Sequence, residues 1–262
     1  MKRIAIVFLV LAGFYGIAFT ADAEKWQTAK STHFIVYYDK APQDFLNRLI
    51  SSAEEYYDKI ANDLGFRRYD FWLWDDRAKV YIYNDINAYR SGTGQPNWSA
   101  GVSYVTRQKE KVISTFLDEK GFFDTILPHE MGHIIFREFV GFYNSAVPLW
   151  LDEGVASYQE RGKRALARLV VEKAAKDNTL ISLGALSNFN PYLNTDEARV
   201  ALFYLESLSI VDFLINRFGS EKFVFFCQVL RDKKNLPKAL VYAYSLQDIQ
   251  ELDRAWQGQI KR

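Results

Sequence analysis

The sequence predicts an α+β protein, with a mixed sheet and its helices toward the N-terminus and a helical lobe behind them. Three observations carry this. Segments that are β-branched and aromatic, or that alternate apolar with polar, fall before Phe122. From Phe122 onward apolar residues recur at helical spacing. The two kinds of segment do not alternate along the whole chain as a βαβ protein would require.

Taken in order, residues 33–38 are β-branched and aromatic and read as a strand. Pro42 opens a helix to about Leu64, with Phe45, Leu49, Ile50, Ala53, Tyr57 and Ile60 on one side and Gly65 as its stop. Residues 79–83 alternate and form a second strand. Residues 91–101 hold three glycines and a proline and read as a loop. Residues 102–106 and 111–115 form a hairpin joined by Arg107-Gln108-Lys109-Glu110. Helices are expected near 124–140, 149–161, 163–177, 196–217, 220–232 and 246–261. Ser220 is the expected N-cap of the fifth, and Ser245 with Asp248 a capping pattern for the last.

Met1-Lys2-Arg3, an apolar run over 4–19 and Ala21-Asp22-Ala23 have the layout of a secretory signal peptide, with the cut expected after Ala23. The run is shorter than the roughly 20 apolar residues that cross a bilayer, so no stable membrane span is expected after cleavage. Removing Lys2, Arg3 and Asp22 from 33 basic and 32 acidic residues leaves 31 of each. A neutral chain without single-sign runs lacks the concentrated basic face that nucleic acid requires. The expected location is periplasmic or extracellular. Residues 24–262 are expected to form one domain, 24–140 bearing the sheet and 141–262 the helical lobe. Cys227 is the one cysteine, so no internal disulfide is possible, and Phe223-Val224-Phe225-Phe226 before it mark a buried, inert thiol.

The chain has three histidines, and two of them stand in His129-Glu130-Met131-Gly132-His133. Residues four apart share a helix face, so both imidazoles can address one ion. Glu130 sits about 100° further round, too far to be a ligand from the same turn but placed to touch a water at the metal. A catalytic zinc takes three protein ligands and keeps a position for water. His33, in a strand, reads as structural. Glu153 is the better third ligand: it follows His133 by twenty positions, enough chain to end one helix, turn through Gly141, Asn144 and Pro148, and start another antiparallel to it.

His-Glu-x-x-His followed by Trp150-Leu151-Asp152-Glu153-Gly154-Val155-Ala156 resembles the gluzincin branch of the zinc metallopeptidases, and more narrowly the exported peptidase-MA-like domains. Ser31-Thr32-His33-Phe34, Ala100-Gly101-Val102, Pro148-Leu149-Trp150, and Tyr204, Ser207 and Phe218-Gly219 fit the same outline. The likeness covers most of residues 24–262 and is most specific at 129–133 and 148–156.

The resemblance implies a zincin-like fold, Zn2+ held by His129, His133 and Glu153, and Glu130 as catalytic base. Asp152 is the rival ligand; the family places the ligand directly before Gly154, which selects Glu153. Ser157, four residues on, stands where some gluzincins have a supporting carboxylate. Tyr204 is the expected oxyanion donor, with Tyr158 and Tyr192 as rivals. The hairpin offers an edge strand to an extended peptide, and loop 91–101 is either its rim or a plain connector. Asn97-Trp98-Ser99 matches a glycosylation sequon. The expected activity is hydrolysis of peptide or protein substrates. The competing reading is a non-catalytic zinc-binding envelope or assembly protein that keeps the fold, and a third is cleavage of another amide or ester.

Overall fold

The computed structural model describes residues 26–65, 72–95, 99–117, 121–191 and 193–260. The expected signal peptide and Tyr192 lie outside these residues. The chain divides into two compact units, one taking the described residues up to Lys59 and on to Ile134, the other Ile60 to Gly65 and Ile135 onward.

The first unit holds a five-stranded mixed sheet in the order β1-β2-β3-β5-β4. Strand β1 (Gln27–Lys30) runs antiparallel to β2 (Phe34–Tyr38), and β2 runs parallel to β3 (Ala78–Tyr83). β3 is parallel to β5 (Lys111–Phe116), and β4 (Gly101–Val105) is antiparallel to β5. The parallel step from β2 to β3 is made through α1 (Gln43–Asp63). Alternation in β3 buries Ala78, Val80 and Ile82 on one face, while Lys79, Tyr81 and Tyr83 take the other. β5, flanked by strands on both sides, is buried along its whole length, so both of its faces are covered as well as its edges.

Two elements of this unit depart from the expectation. β1, Gln-Thr-Ala-Lys, is largely exposed and has no alternating apolar face; β2 supplies the pairing that makes it a strand. Helix α2 (Ile86–Thr93) occupies the first part of the expected loop. Asp85 caps it by accepting from Asn87 N at 2.8 Å and Ala88 N at 2.9 Å, and Gly94 at φ 68° ends it. Gly92 hid the helix, and its lack of a side chain lets the Tyr83 ring pack closely there, since a Cβ would lie 2.5 Å from that ring. Tyr89 of α2 closes a buried cluster with Val102 and Phe116.

Helix α3 (Leu127–Val140) is preceded by one π-helical turn over Phe122–Ile126 instead of starting as a regular helix near 124. Leu127 N accordingly bonds back to Phe122 O. Pro128 has no N–H to give to the fourth carbonyl before it, so the regular ladder cannot begin earlier.

The second unit is helical among its described residues: the end of α3, then α4 (Leu149–Tyr158), α5 (Lys163–Lys176), α6 (Leu183–Leu186), α7 (Glu197–Phe218), α8 (Ser220–Lys233), α9 (Leu236–Tyr244) and α10 (Ile249–Ile260). α7 is buried along most of its length, and α4 crosses it at Gly154. A Cβ on Gly154 would stand 2.3 Å from the Ser207 carbonyl oxygen, so only glycine permits this approach. α9 was not expected: Asn235 caps it through Lys238 N at 2.9 Å, with Pro237 in its first turn. Ser245, at φ 59°, ends α9 and does not start α10; the cap there is Asp248, which accepts from Glu251 N at 2.7 Å. Gly219, not Ser220, is the cap residue of α8. No helix among the described residues is long and apolar enough to cross a membrane.

Candidate metal centre

α3 places His129, Glu130 and His133 on its buried side, each fully shielded from solvent. The two imidazoles stand 80° apart, and their Nε2 atoms are 3.1 Å from one another. Two nitrogens at about 2.0–2.1 Å from one tetrahedral ion would be separated by roughly 3.3 Å, so the pair has the spacing of two ligands to one metal. On α4, Glu153 is also fully buried. One ligand atom from each of His129, His133 and Glu153 lies within 4.8 Å of the other two, and this group could hold a metal ion.

The residues fit a cation on a second count. Both carboxylate oxygens of Glu130 are buried and have no hydrogen-bond partner among the described residues. An ionised carboxylate left that way in an apolar interior is costly, unless a cation or a polar reactant shares its space. Gly101, the first residue of β4, comes close enough that a Cβ there would lie 3.5 Å from Glu130 Cγ and Oε1 and 2.7 Å from the Ile126 methyl.

The rival ligand is otherwise engaged. Arg137 Nε donates to Asp152 Oδ1 at 3.1 Å and Oδ2 at 3.0 Å, and its Nη2 donates to Oδ2 as well. This fork fixes α4 to the last turns of α3 and turns Asp152 to the guanidinium. Neither the His-Glu-x-x-His spacing nor the family outline pointed to Arg137. The available signal was its position four residues after His133, on the face the ligands share.

His33 has a structural place. Its ring Nδ1 is 2.6 Å from Glu54 Oε2, its backbone N donates to Glu54 Oε1 at 3.0 Å, and it stacks on Tyr57 at 4.0 Å. Burial pulls the Glu54 carboxyl up, but hydrogen bonds from Ser31 and His33 outweigh it and hold the group below its ordinary value. Ser157 Oγ accepts from Lys163 Nζ at 3.2 Å, which also pairs with Glu160. Tyr158 lies under Arg164, whose guanidinium carbon is 4.6 Å from the ring centre. Tyr204 is buried on α7 with its ring edge-on to Phe203. Cys227 is free and buried, and burial pushes its thiol well up.

A buried His–His–Glu group on consecutive helices of an α+β chain is the arrangement of a metallopeptidase-like protein. The chain belongs to the Peptidase MA superfamily, whose family profile matches residues 72–262. No curated protein matches the sequence. The match spans both motif segments, 129–133 and 148–156.

Proposed function

We propose that the protein is an exported zinc metallopeptidase of the gluzincin type, with His129, His133 and Glu153 as metal ligands and Glu130 as general base. The observation that carries the reading is the Glu130 carboxylate, buried and without a hydrogen-bond partner among the described residues, one position from the first ligand. A site that only held a metal for stability would have no use for a base there. The proposal takes residues 24–262 as one zincin-like domain behind a cleaved signal peptide, working in the periplasm or outside the cell.

Bound zinc would supply a Lewis acid for the scissile carbonyl and ease deprotonation of water. Glu130 takes the proton from the attacking water and returns it to the leaving amine. Tyr204 donates its hydroxyl proton to the oxyanion as a hydrogen bond. β4, an edge of the sheet, offers main-chain groups to an extended peptide or protein substrate.

Elemental mass spectrometry of protein beginning at Glu24, made without a histidine tag, tests the ligand set. About one zinc per chain is expected, lost in His133→Ala. Glu130→Gln is expected to keep the zinc and to lose turnover of a peptide library by about 10²–10⁴-fold. A zinc-loaded wild type that cleaves nothing in a broad library would overturn the enzymatic reading in favour of a non-catalytic zinc protein.

A further inference from the structure

Helix α2 sends one buried side chain toward the start of the edge strand. The Tyr89 hydroxyl is 2.8 Å from Ser99 Oγ, and Ser99 Oγ donates to the Gly101 carbonyl at 3.0 Å. With the Ser99 proton committed to Gly101, Tyr89 is the donor of the first bond. Thr115 Oγ1, from β5, donates to the Ala100 carbonyl at 2.8 Å. Tyr89 and Ser99 are both buried, so these bonds do not compete with water. Residues 99–101 are therefore held by side chains just where Gly101 comes up to Glu130. Burial pushes the Tyr89 phenol far above its ordinary value, against the hydrogen bond to Ser99 that lowers it.

We infer that Tyr89 and Ser99 are positioning residues: their hydrogen-bonded relay to the Gly101 carbonyl sets the edge strand against Glu130. The inference rests on the peptidase reading. A substrate strand laid along β4 meets the general base at Gly101, so the relay fixes the separation of scissile bond and carboxylate. Such a separation is felt mainly in the chemical step, since displacements of about 1 Å can cost 10²-fold in rate.

The test compares wild type with Tyr89→Phe, Ser99→Ala and Ser99→Thr, each starting at Glu24 and loaded with zinc. Tyr89→Phe and Ser99→Ala are expected to lower kcat by about 10–100-fold. KM should change by less than about threefold, with zinc content and Tm close to wild type. Ser99→Thr, which keeps the hydroxyl, should restore most of kcat. Backbone hydrogen exchange over 99–105 is the second readout. It should quicken in Tyr89→Phe and Ser99→Ala, while exchange in β3 stays as in wild type. Unchanged kcat in both variants, or a loss confined to KM, overturns the inference while leaving the peptidase reading intact. Unchanged exchange over 99–105 overturns it whether or not a substrate is cleaved. A wild type that cleaves nothing removes the peptidase reading instead, and the exchange result still decides whether the relay pins the strand.

Discussion

Glu130 and Gly154 show how much depends on single atoms. Glu130 is costly to bury, and a polar reactant or a cation is what would offset that cost. Glu130→Gln removes the charge but hardly the volume. Its apo form is expected to melt at or above the wild-type temperature, while turnover falls by the factor given above. Gly154 has the opposite character: it is a backbone requirement with no chemistry of its own. Gly154→Ala forces a methyl onto the Ser207 carbonyl, so α4 and α7 must part. We expect a loss of about 2–3 kcal/mol in urea unfolding. Glu153 precedes Gly154 directly, so the same variant should weaken zinc binding, read by competition with a chelator.

At the scale of elements, α3 and α4 carry the His129–His133–Glu153 group, and the Arg137–Asp152 fork ties the end of α3 to α4. Both partners are largely buried, at 16% and 8% exposure, so breaking the fork leaves an uncompensated charge. Asp152→Asn is expected to cost about 3 kcal/mol of stability and to lower zinc affinity, and thermal melts with and without zinc separate the two effects. The motif and its amphipathic surroundings announced α3 in the sequence, and Pro148 followed by a run of apolar residues announced α4. The elements that escaped notice lacked such a signature. β1 has no buried face, α2 contains Gly92, and α9 is short and mostly defined by its cap at Asn235. Each is stabilised by neighbours or by capping bonds more than by its own pattern.

For the whole molecule, buried charge makes stability respond to pH and to metal. Burial pushes the Glu206 carboxyl from its ordinary 4.5 up to about 8; Asp253 adds to this, against the opposing bond from Ile181 N. Below its unfolded pKa the group is neutral in both states. As pH rises from about 4.5 to 8 the unfolded chain loses this proton while the folded chain keeps it, so stability falls; above about 8 the effect levels off. The contribution lost is on the order of 5 kcal/mol, by about 1.4 kcal/mol per unit. Glu206→Gln, which can still accept from Ile181 N, should flatten that part of the stability–pH curve. Urea midpoints measured at pH 5 and pH 8.5 would show it, and an equal slope in both proteins would contradict the assignment. A metal that binds only the folded chain stabilises it by about 4 kcal/mol at a thousandfold excess over Kd. Chelation should therefore lower the wild-type Tm by several degrees and leave His133→Ala unmoved.

The family resemblance selected Glu153 over Asp152, and the residues alone determined the α+β class and the His129–His133 pair with Glu130 beside it. Those features depend on spacing along one or two helices, and helical geometry converts spacing directly into a shared face. Only the tertiary structure decided that Asp152 is taken by Arg137, that His33 belongs to Glu54 and Tyr57, and that Tyr89 and Ser99 hold the start of β4 against Glu130. These contacts join residues that follow no shared period in the sequence. They exist because burial removes water as a competitor and leaves each polar group to find its partner across the fold.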